Sequence, residues 1–120
     1  MGRSVLVADD DPNIQRILRL NLELEGYSVT AASDGVEALE SLARTPPDIV
    51  VLDVMMPRLD GLEVLRRIRE EAATAGIPVI LLTARSGAED LWHGWALGVD
   101  YYLTKPFDID DLVRSINRLL

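Results

Sequence analysis

Short apolar runs alternate with amphipathic stretches along the whole chain. Four of the runs stop at a residue that does polar chemistry. Ser4-Val-Leu-Val-Ala8 stops at Asp9-Asp10-Asp11, and Asp48-Ile-Val-Val-Leu52 stops at Asp53. Ile77-Pro-Val-Ile-Leu-Leu82 stops at Thr83, and Tyr101-Tyr-Leu-Thr104 stops at Lys105. Runs this short, rich in Val, Ile and Leu and separated by helical patterns, predict strands of a parallel sheet buried on both faces. In an open α/β sheet, ligands bind beyond the carboxyl ends of the strands, where the strand order reverses. All four polar terminators fall at that end.

Five strand–helix units follow one another without a linker, repeat or low-complexity tract. Strands are predicted over about Ser4–Ala8, Ser28–Ala31, the run ending at Asp53, Pro78–Thr83 and Tyr101–Thr104. The first helix has Asp11 as N-cap and Pro12 at its first position, with Ile14, Ile17, Leu18 and Leu24 on its apolar face, and it stops near Gly26. The second follows Asp34-Gly35, turns Val36, Leu39, Leu42 and Ala43 inward, and yields to Pro46-Pro47. The third is capped by Asp60 and uses Leu62, Leu65 and Ile68. The fourth runs over roughly Ala88–Leu97 and ends at Gly98. The fifth begins at Asp108 and buries Ile109, Leu112, Val113, Ile116 and Leu119. Short connections imply right-handed crossovers and five helices flanking both faces. The commonest solution is a doubly wound sheet of order 2-1-3-4-5, with its switch point between strands 1 and 3. Asp9, Asp10 and Asp53 end those two strands.

Composition narrows the function classes. A chain of 120 residues makes one domain with one core. Its net charge of −8 argues against nucleic-acid binding by this segment. With no cysteine there is neither a disulfide nor a thiolate metal site. No apolar stretch is long enough to span a bilayer, and no signal peptide precedes the first strand, so a cytoplasmic location is expected. Eleven of the twelve basic residues are Arg, and Lys105 is the only lysine. That pattern points to a site that needs a compact ammonium rather than a planar fork.

Three carboxylates within about 5 Å repel by roughly 3 kcal/mol per pair at an effective dielectric near 20. A cation must fill such a gap. A hard divalent ion with oxygen ligands fits, with Mg²⁺ the first candidate and Mn²⁺ the second. Asp11 is explained by its helix start alone. An isolated Asp-Asp pair would read as a solvated turn, but Asp53 at the switch point reverses that reading. A carboxylate beside Mg²⁺ can attack phosphorus and form an acyl phosphate. The metal, Lys105, the Thr83 hydroxyl and backbone N–H groups would share the charge of the transition state. Alone, Thr83 reads as an ordinary strand residue and Lys105 as a solvated one. Together they fit one mechanism.

The ordered set Asp9-Asp10, Asp53, Met56-Pro57, Gly61, Thr83-Ala84 and Lys105-Pro106-Phe107 resembles the response-regulator receiver domains of bacterial two-component signalling. The resemblance covers all 120 residues. It implies a flavodoxin-like fold in which Asp53 accepts a phosphoryl group from a histidine kinase or phosphotransfer protein. By the same resemblance Asp10, Asp53 and the Met55 carbonyl bind Mg²⁺, and Asp9 orients metal-bound water. Lys105, Thr83 and the Met55 and Ala84 amides hold the phosphoryl oxygens. Tyr102 is the switch aromatic that turns inward as Thr83 moves, and the Lys105–Pro106 peptide is cis. The module catalyses its own phosphoryl transfer and is a switch rather than a turnover enzyme.

Within that family the chain is nearest the subgroup with winged-helix DNA-binding outputs, through Gly98-Val-Asp-Tyr-Tyr-Leu-Thr-Lys-Pro-Phe107. It departs where the subgroup forms its dimer. An Arg is usual at Leu91, an Asp at Tyr101 and an Arg at Ser115. Leu91, Trp92, Trp95 and Tyr101 are expected instead to form an apolar face, serving a salt-insensitive homodimer or a dedicated output partner. Leu120 closes the fifth helix. The chain then reads as a single receiver domain, either complete or the front of a longer regulator.

Two other classes compete. A flavodoxin-like nucleotide module needs a hydroxyl- or Gly-rich loop after strand 1, and an acidic loop repels phosphate. An Asp53-dependent, Mg²⁺-dependent phosphohydrolase usually places a second acid where Met55 stands. The Arg66-Arg67 and Arg69 run reads as a solvated face paired with Glu63, Glu70 and Glu71.

Overall fold

The structure is a computed structural model that describes residues 2–84 and 94–120. Leu91 and Trp92, and with them most of the predicted fourth helix, lie outside the described residues. The strands are β1 (Ser4–Ala8), β2 (Ser28–Ala32), β3 (Ile49–Asp53), β4 (Val79–Thr83) and β5 (Tyr101–Thr104). The helices are α1 (Pro12–Leu24), α2 (Gly35–Arg44), α3 (Gly61–Glu70), the helical residues 94–96 (α4) and α5 (Ile109–Leu119). All strand pairs are parallel, in the order β2-β1-β3-β4-β5. The doubly wound expectation holds.

Strand alternation divides the core in two. Val5, Val7, Ile49, Val51, Ile80 and Leu82 face α1 and α5. Leu6, Ala8, Val50, Leu52, Val79 and Leu81 face α2 and α3. Every residue of β3 and β4 is buried, as expected of central strands covered on both sides. Each fully buried Leu or Ile here is worth about 2–5 kcal/mol against alanine. Among the described residues no helix is long and apolar enough to cross a membrane.

Four helices start the same way. The side chains of Asp11, Asp34, Asp60 and Asp108 accept the amides of Asn13, Glu37, Glu63 and Asp110 at 2.8–2.9 Å. Each cap satisfies one otherwise unpaired N–H and is worth about 1 kcal/mol.

Two helix faces differ from expectation. On α1 the buried residues are Leu18 and Leu22, while Ile17 is 53% exposed and Leu24 76% exposed. The ridge of positions 14, 18 and 22 faces the sheet, and 17, 20 and 24 lie on a second ridge turned outward. On α2 the sheet is met by Ala38, Ser41 and Leu42, and Ala43 is exposed. Small residues there let the helix lie close to β2. On α3, Arg66 bridges Glu63 and Glu70, and Arg67 pairs with Glu63. Arg69 departs from the expected pairing. It donates to the carbonyls of Ala75, Ile77 and Gly98 and bonds Asp100 at 2.9 Å, tying α3 to the segment before β5.

Candidate functional site

Parallel register decides what meets at the carboxyl edge. Ala8 pairs with Leu52, so Asp9 follows one strand as Asp53 ends its neighbour. Thr83 pairs with Thr104, so Lys105 emerges beside the end of β4. Four adjacent strands thus deliver Asp9, Asp53, Thr83 and Lys105 to one line. The Lys105 amide donates to the Thr83 carbonyl at 2.6 Å, fixing where its side chain departs.

The lysine stem is long enough to cross β4. Its Nζ lies 2.9 Å from Asp9 Oδ2 and 3.1 Å from Asp53 Oδ2. Asp9 is fully buried, and its other oxygen accepts the Asp11 amide at 2.9 Å. Asp53 is buried as well, and its Oδ1 accepts the Met55 amide at 3.3 Å. Asp10 is exposed at the rim. Oxygens of Asp9, Asp10 and Asp53 lie within 4.8 Å of one another.

Burial pushes the Asp53 carboxyl above its ordinary value, the charge of Asp9 adds to the rise, and Lys105 and the Met55 amide oppose it. Burial alone would pull Lys105 down. Hydrogen bonds and charges from Asp9 and Asp53 together outweigh it, so the ammonium is held above its ordinary range. Three carboxylates against one ammonium leave a formal charge of about −2. An all-oxygen donor set of that charge fits a hard divalent cation held with retained waters.

The other expected site residues fall as follows. Thr83 is buried at the end of β4, and Ala84 follows it in the open. Met55 points its side chain outward while its amide turns to Asp53. The Lys105–Pro106 bond is cis. Tyr102 is half-buried against the α2–α3 side of the core. Its ring meets Trp95 edge-on, with centroids 5.9 Å apart and an interplanar angle of 63°. Trp95 is 56% exposed, and Tyr101 is exposed on the edge strand. Ser115 is buried and donates to the Asp111 carbonyl at 2.8 Å.

Three residues near the site escaped sequence reasoning. Gly94 lies beneath the Tyr102 ring: a Cβ there would fall 2.5 Å from Tyr102 Cζ and 3.1 Å from Leu81 Cδ1. Gln15 donates to the Asp9 and Ala32 carbonyls and to Ser33 Oγ, joining the ends of β1 and β2. Arg58 pairs with Asp34 across the loop that carries Met55. A glycine inside a helical pattern was a signal that could have flagged Gly94. Nothing in the sequence spacing marked the other two.

A fold wound in this order, with an acidic cluster and a lysine at its switch point, defines a class. Residues 5–117 match the family described as the response regulator receiver domain. The chain belongs to that family and is a signalling switch of two-component systems. Response regulator MprA of Mycobacterium leprae is 48% identical over 97% of this chain and 50% of its own length. The DNA-binding dual master transcriptional regulator RpaA of Synechocystis is 40% identical over 97% of this chain and 48% of its own. The chain thus spans about half the length of these curated relatives, of which the second is named as DNA-binding. Among solved structures, the receiver domain of sensor histidine kinase PA1611 from Pseudomonas aeruginosa superposes with a TM-score of 0.90 at 33% identity, over 99% of this chain and 98% of that one. That structure holds a magnesium ion coordinated in its active-site cleft.

Proposed function

We propose that Asp53 is the phosphoacceptor of this switch and that its donor is a histidine kinase or phosphotransfer protein. The observation that carries the reading is the Asp53 carboxylate, buried at the switch point 3.1 Å from the chain's only lysine. An Asp53 oxygen attacks phosphorus as the P–N bond of a phosphohistidine breaks. The bonding pair leaves on the imidazole nitrogen, which takes up a proton. Mg²⁺ held by Asp10, Asp53 and the Met55 carbonyl, with Mn²⁺ as a substitute, supplies neutralisation of charge on the phosphoryl oxygens. Asp9 orients the polar shell around that cation. Lys105 transfers its ammonium from the carboxylates to a phosphoryl oxygen, and the Thr83 hydroxyl and the Met55 and Ala84 amides bind the others. Thr83 and Tyr102 then carry the change to the face that includes Trp95 and Tyr101. That exposed aromatic pair supports an output contact, either a homodimer or a partner. A kinase donor and a cysteine-free chain support a cytoplasmic setting.

The test is labelling of the purified protein with acetyl phosphate. With Mg²⁺ it is expected to gain one acid-stable, base-labile phosphoryl group, and EDTA is expected to prevent this. Labelling that proceeds equally in EDTA, or none at all, would overturn the reading.

Ile14, Ile17, Phe107 and Ile109 line an apolar groove that Lys105 and Pro106 also border. This supports docking of the donor protein beside the lysine. Ile17→Asp is expected to slow transfer from the cognate kinase by on the order of tenfold, the effect of losing one apolar anchor. Labelling by acetyl phosphate should be unchanged. Equal slowing of both reactions would place the defect in the site itself.

A further inference from the structure

The loop of residues 54–60 carries Met55 from β3 to α3, and its middle is held by an unusual contact. Arg58 has φ 67°, the only positive φ outside glycine among the described residues. For a side chain with a Cβ this conformation costs about 1–2 kcal/mol, so it persists only where the surroundings impose it. Here the guanidinium supplies the restraint. Its Nε donates to Asp34 Oδ2 at 3.0 Å and its Nη2 to Asp34 Oδ1 at 3.1 Å. A fork of two parallel bonds fixes orientation as well as distance.

The acceptor is itself immobilised. Asp34 is nearly buried, and the same Oδ1 caps α2 through the Glu37 amide at 2.8 Å. The next residue, Gly35, lies flat on the loop: a Cβ there would fall 2.6 Å from Leu59 Cβ and 2.8 Å from the Leu59 carbonyl carbon. The start of α2 therefore grips residues 58 and 59. The ends of the loop are fixed elsewhere, by the Val54 amide on Leu82 O and the Gly61 amide on Val54 O, both at 2.9 Å. Only Met56, packed into the core, and Pro57, with its fixed φ, separate Arg58 from Met55. Little slack remains to absorb a displacement.

We propose that Arg58 is a positioning residue: its paired bonds to Asp34 hold the 54–60 loop so that the Met55 main chain faces the acidic cluster, and this sets the affinity for the divalent cation. The inference rests on the reading above, in which the Met55 carbonyl is a ligand. Arg58 touches neither cation nor phosphoryl group and acts through the backbone. The effect reaches the site from the helix after β2, the strand farthest from Lys105 in this sheet.

Arg58→Gly tests it, because glycine accepts the left-handed conformation and removes the fork. Arg58→Asn, which tolerates that conformation but keeps a Cβ, controls for glycine's added backbone freedom and should behave alike. Arg58→Gly is expected to fold with a Tm within a few degrees of wild type. Amide hydrogen exchange at Met55 and Met56 should rise even without metal. The Mg²⁺ dissociation constant, from titration of the metal alone, should rise by on the order of tenfold, as for other supports of a metal ligand. Asp34→Asn should act in the same direction, and the double variant should be no weaker than Arg58→Gly alone. Arg58→Lys, which keeps the charge but not the fork, should fall between. Unchanged exchange at Met55 and Met56, or effects of the two positions that simply add, would overturn the inference. Faster exchange in a protein whose wild type binds no Mg²⁺ would overturn the metal reading instead, while leaving Arg58 as the residue that fixes the loop.

Discussion

Asp53→Asn is expected to abolish phosphoryl incorporation while the protein stays folded. The amide has the shape of the carboxyl but lacks the anionic oxygen that attacks phosphorus. It removes one of three charges crowded within 4.8 Å, on a group that burial and Asp9 already push toward its neutral form. The variant should therefore melt at or slightly above the wild-type temperature in metal-free buffer. Its response to Mg²⁺ should fall, because the cluster has lost a ligand. Intact mass after incubation with acetyl phosphate, beside a thermal scan with and without Mg²⁺, reads all three outcomes. Undiminished labelling would assign the phosphoacceptor to another residue.

Gly94→Ala is expected to unseat Tyr102. The new methyl group would overlap the end of the phenol ring and lie 3.1 Å from Leu81 Cδ1, so it has no room to yield on that side. The ring is expected to leave its place and lose its edge contact with Trp95, worth about 0.5–1.5 kcal/mol. Alanine regains up to about 1 kcal/mol of helix propensity over glycine. The two effects nearly cancel, so Tm should move little while the conformation changes. Tyr102 ring resonances should shift, and their cross-relaxation with Trp95 should vanish. Labelling of Asp53 should persist, but the Trp95–Tyr101 face should no longer respond to it. In a Tyr102→Ala background the same substitution should have almost no effect, since the overlapping group is gone. Unshifted Tyr102 resonances in Gly94→Ala would show that helix α4 gives way rather than the ring.

The elements that were legible are those in which local signals agreed. β1, β3, β4 and β5 are apolar runs bounded by polar residues, and each of the four helices with an Asp cap begins where that Asp predicts. Asp9, Asp53 and Lys105 could be grouped because a parallel sheet delivers strand ends to one edge, whatever the loops do. What failed was phase. Ile17, Leu24 and Ala43 are apolar and helical in position, yet each sits about 100–200° from the ridge that meets the sheet. Hydrophobic character alone does not say which of two adjacent ridges is buried. Arg69 was misread because its partners are backbone carbonyls and Asp100, distant in sequence and silent in any i, i+4 rule. Arg58 and Asp34 were invisible for the same reason: 24 residues separate them, and only the fold makes them neighbours.

The four Asp-capped helices all enter at the sheet edge that holds the cluster. Helix N-termini ordinarily attract anions through their free N–H groups and positive end of the dipole. Here that attraction is spent on the protein's own carboxylates, and Asp10 adds another at the rim. Free inorganic phosphate, abundant in any cell, meets a negative threshold rather than a welcoming one. On the reading proposed above, a phosphoryl group would cross it only with a divalent ion bound and a donor holding the group in place. If Asp53 is the phosphoacceptor, acidic capping would act as a noise filter, leaving a sensor of one covalent event indifferent to the bulk concentration of the same chemical group.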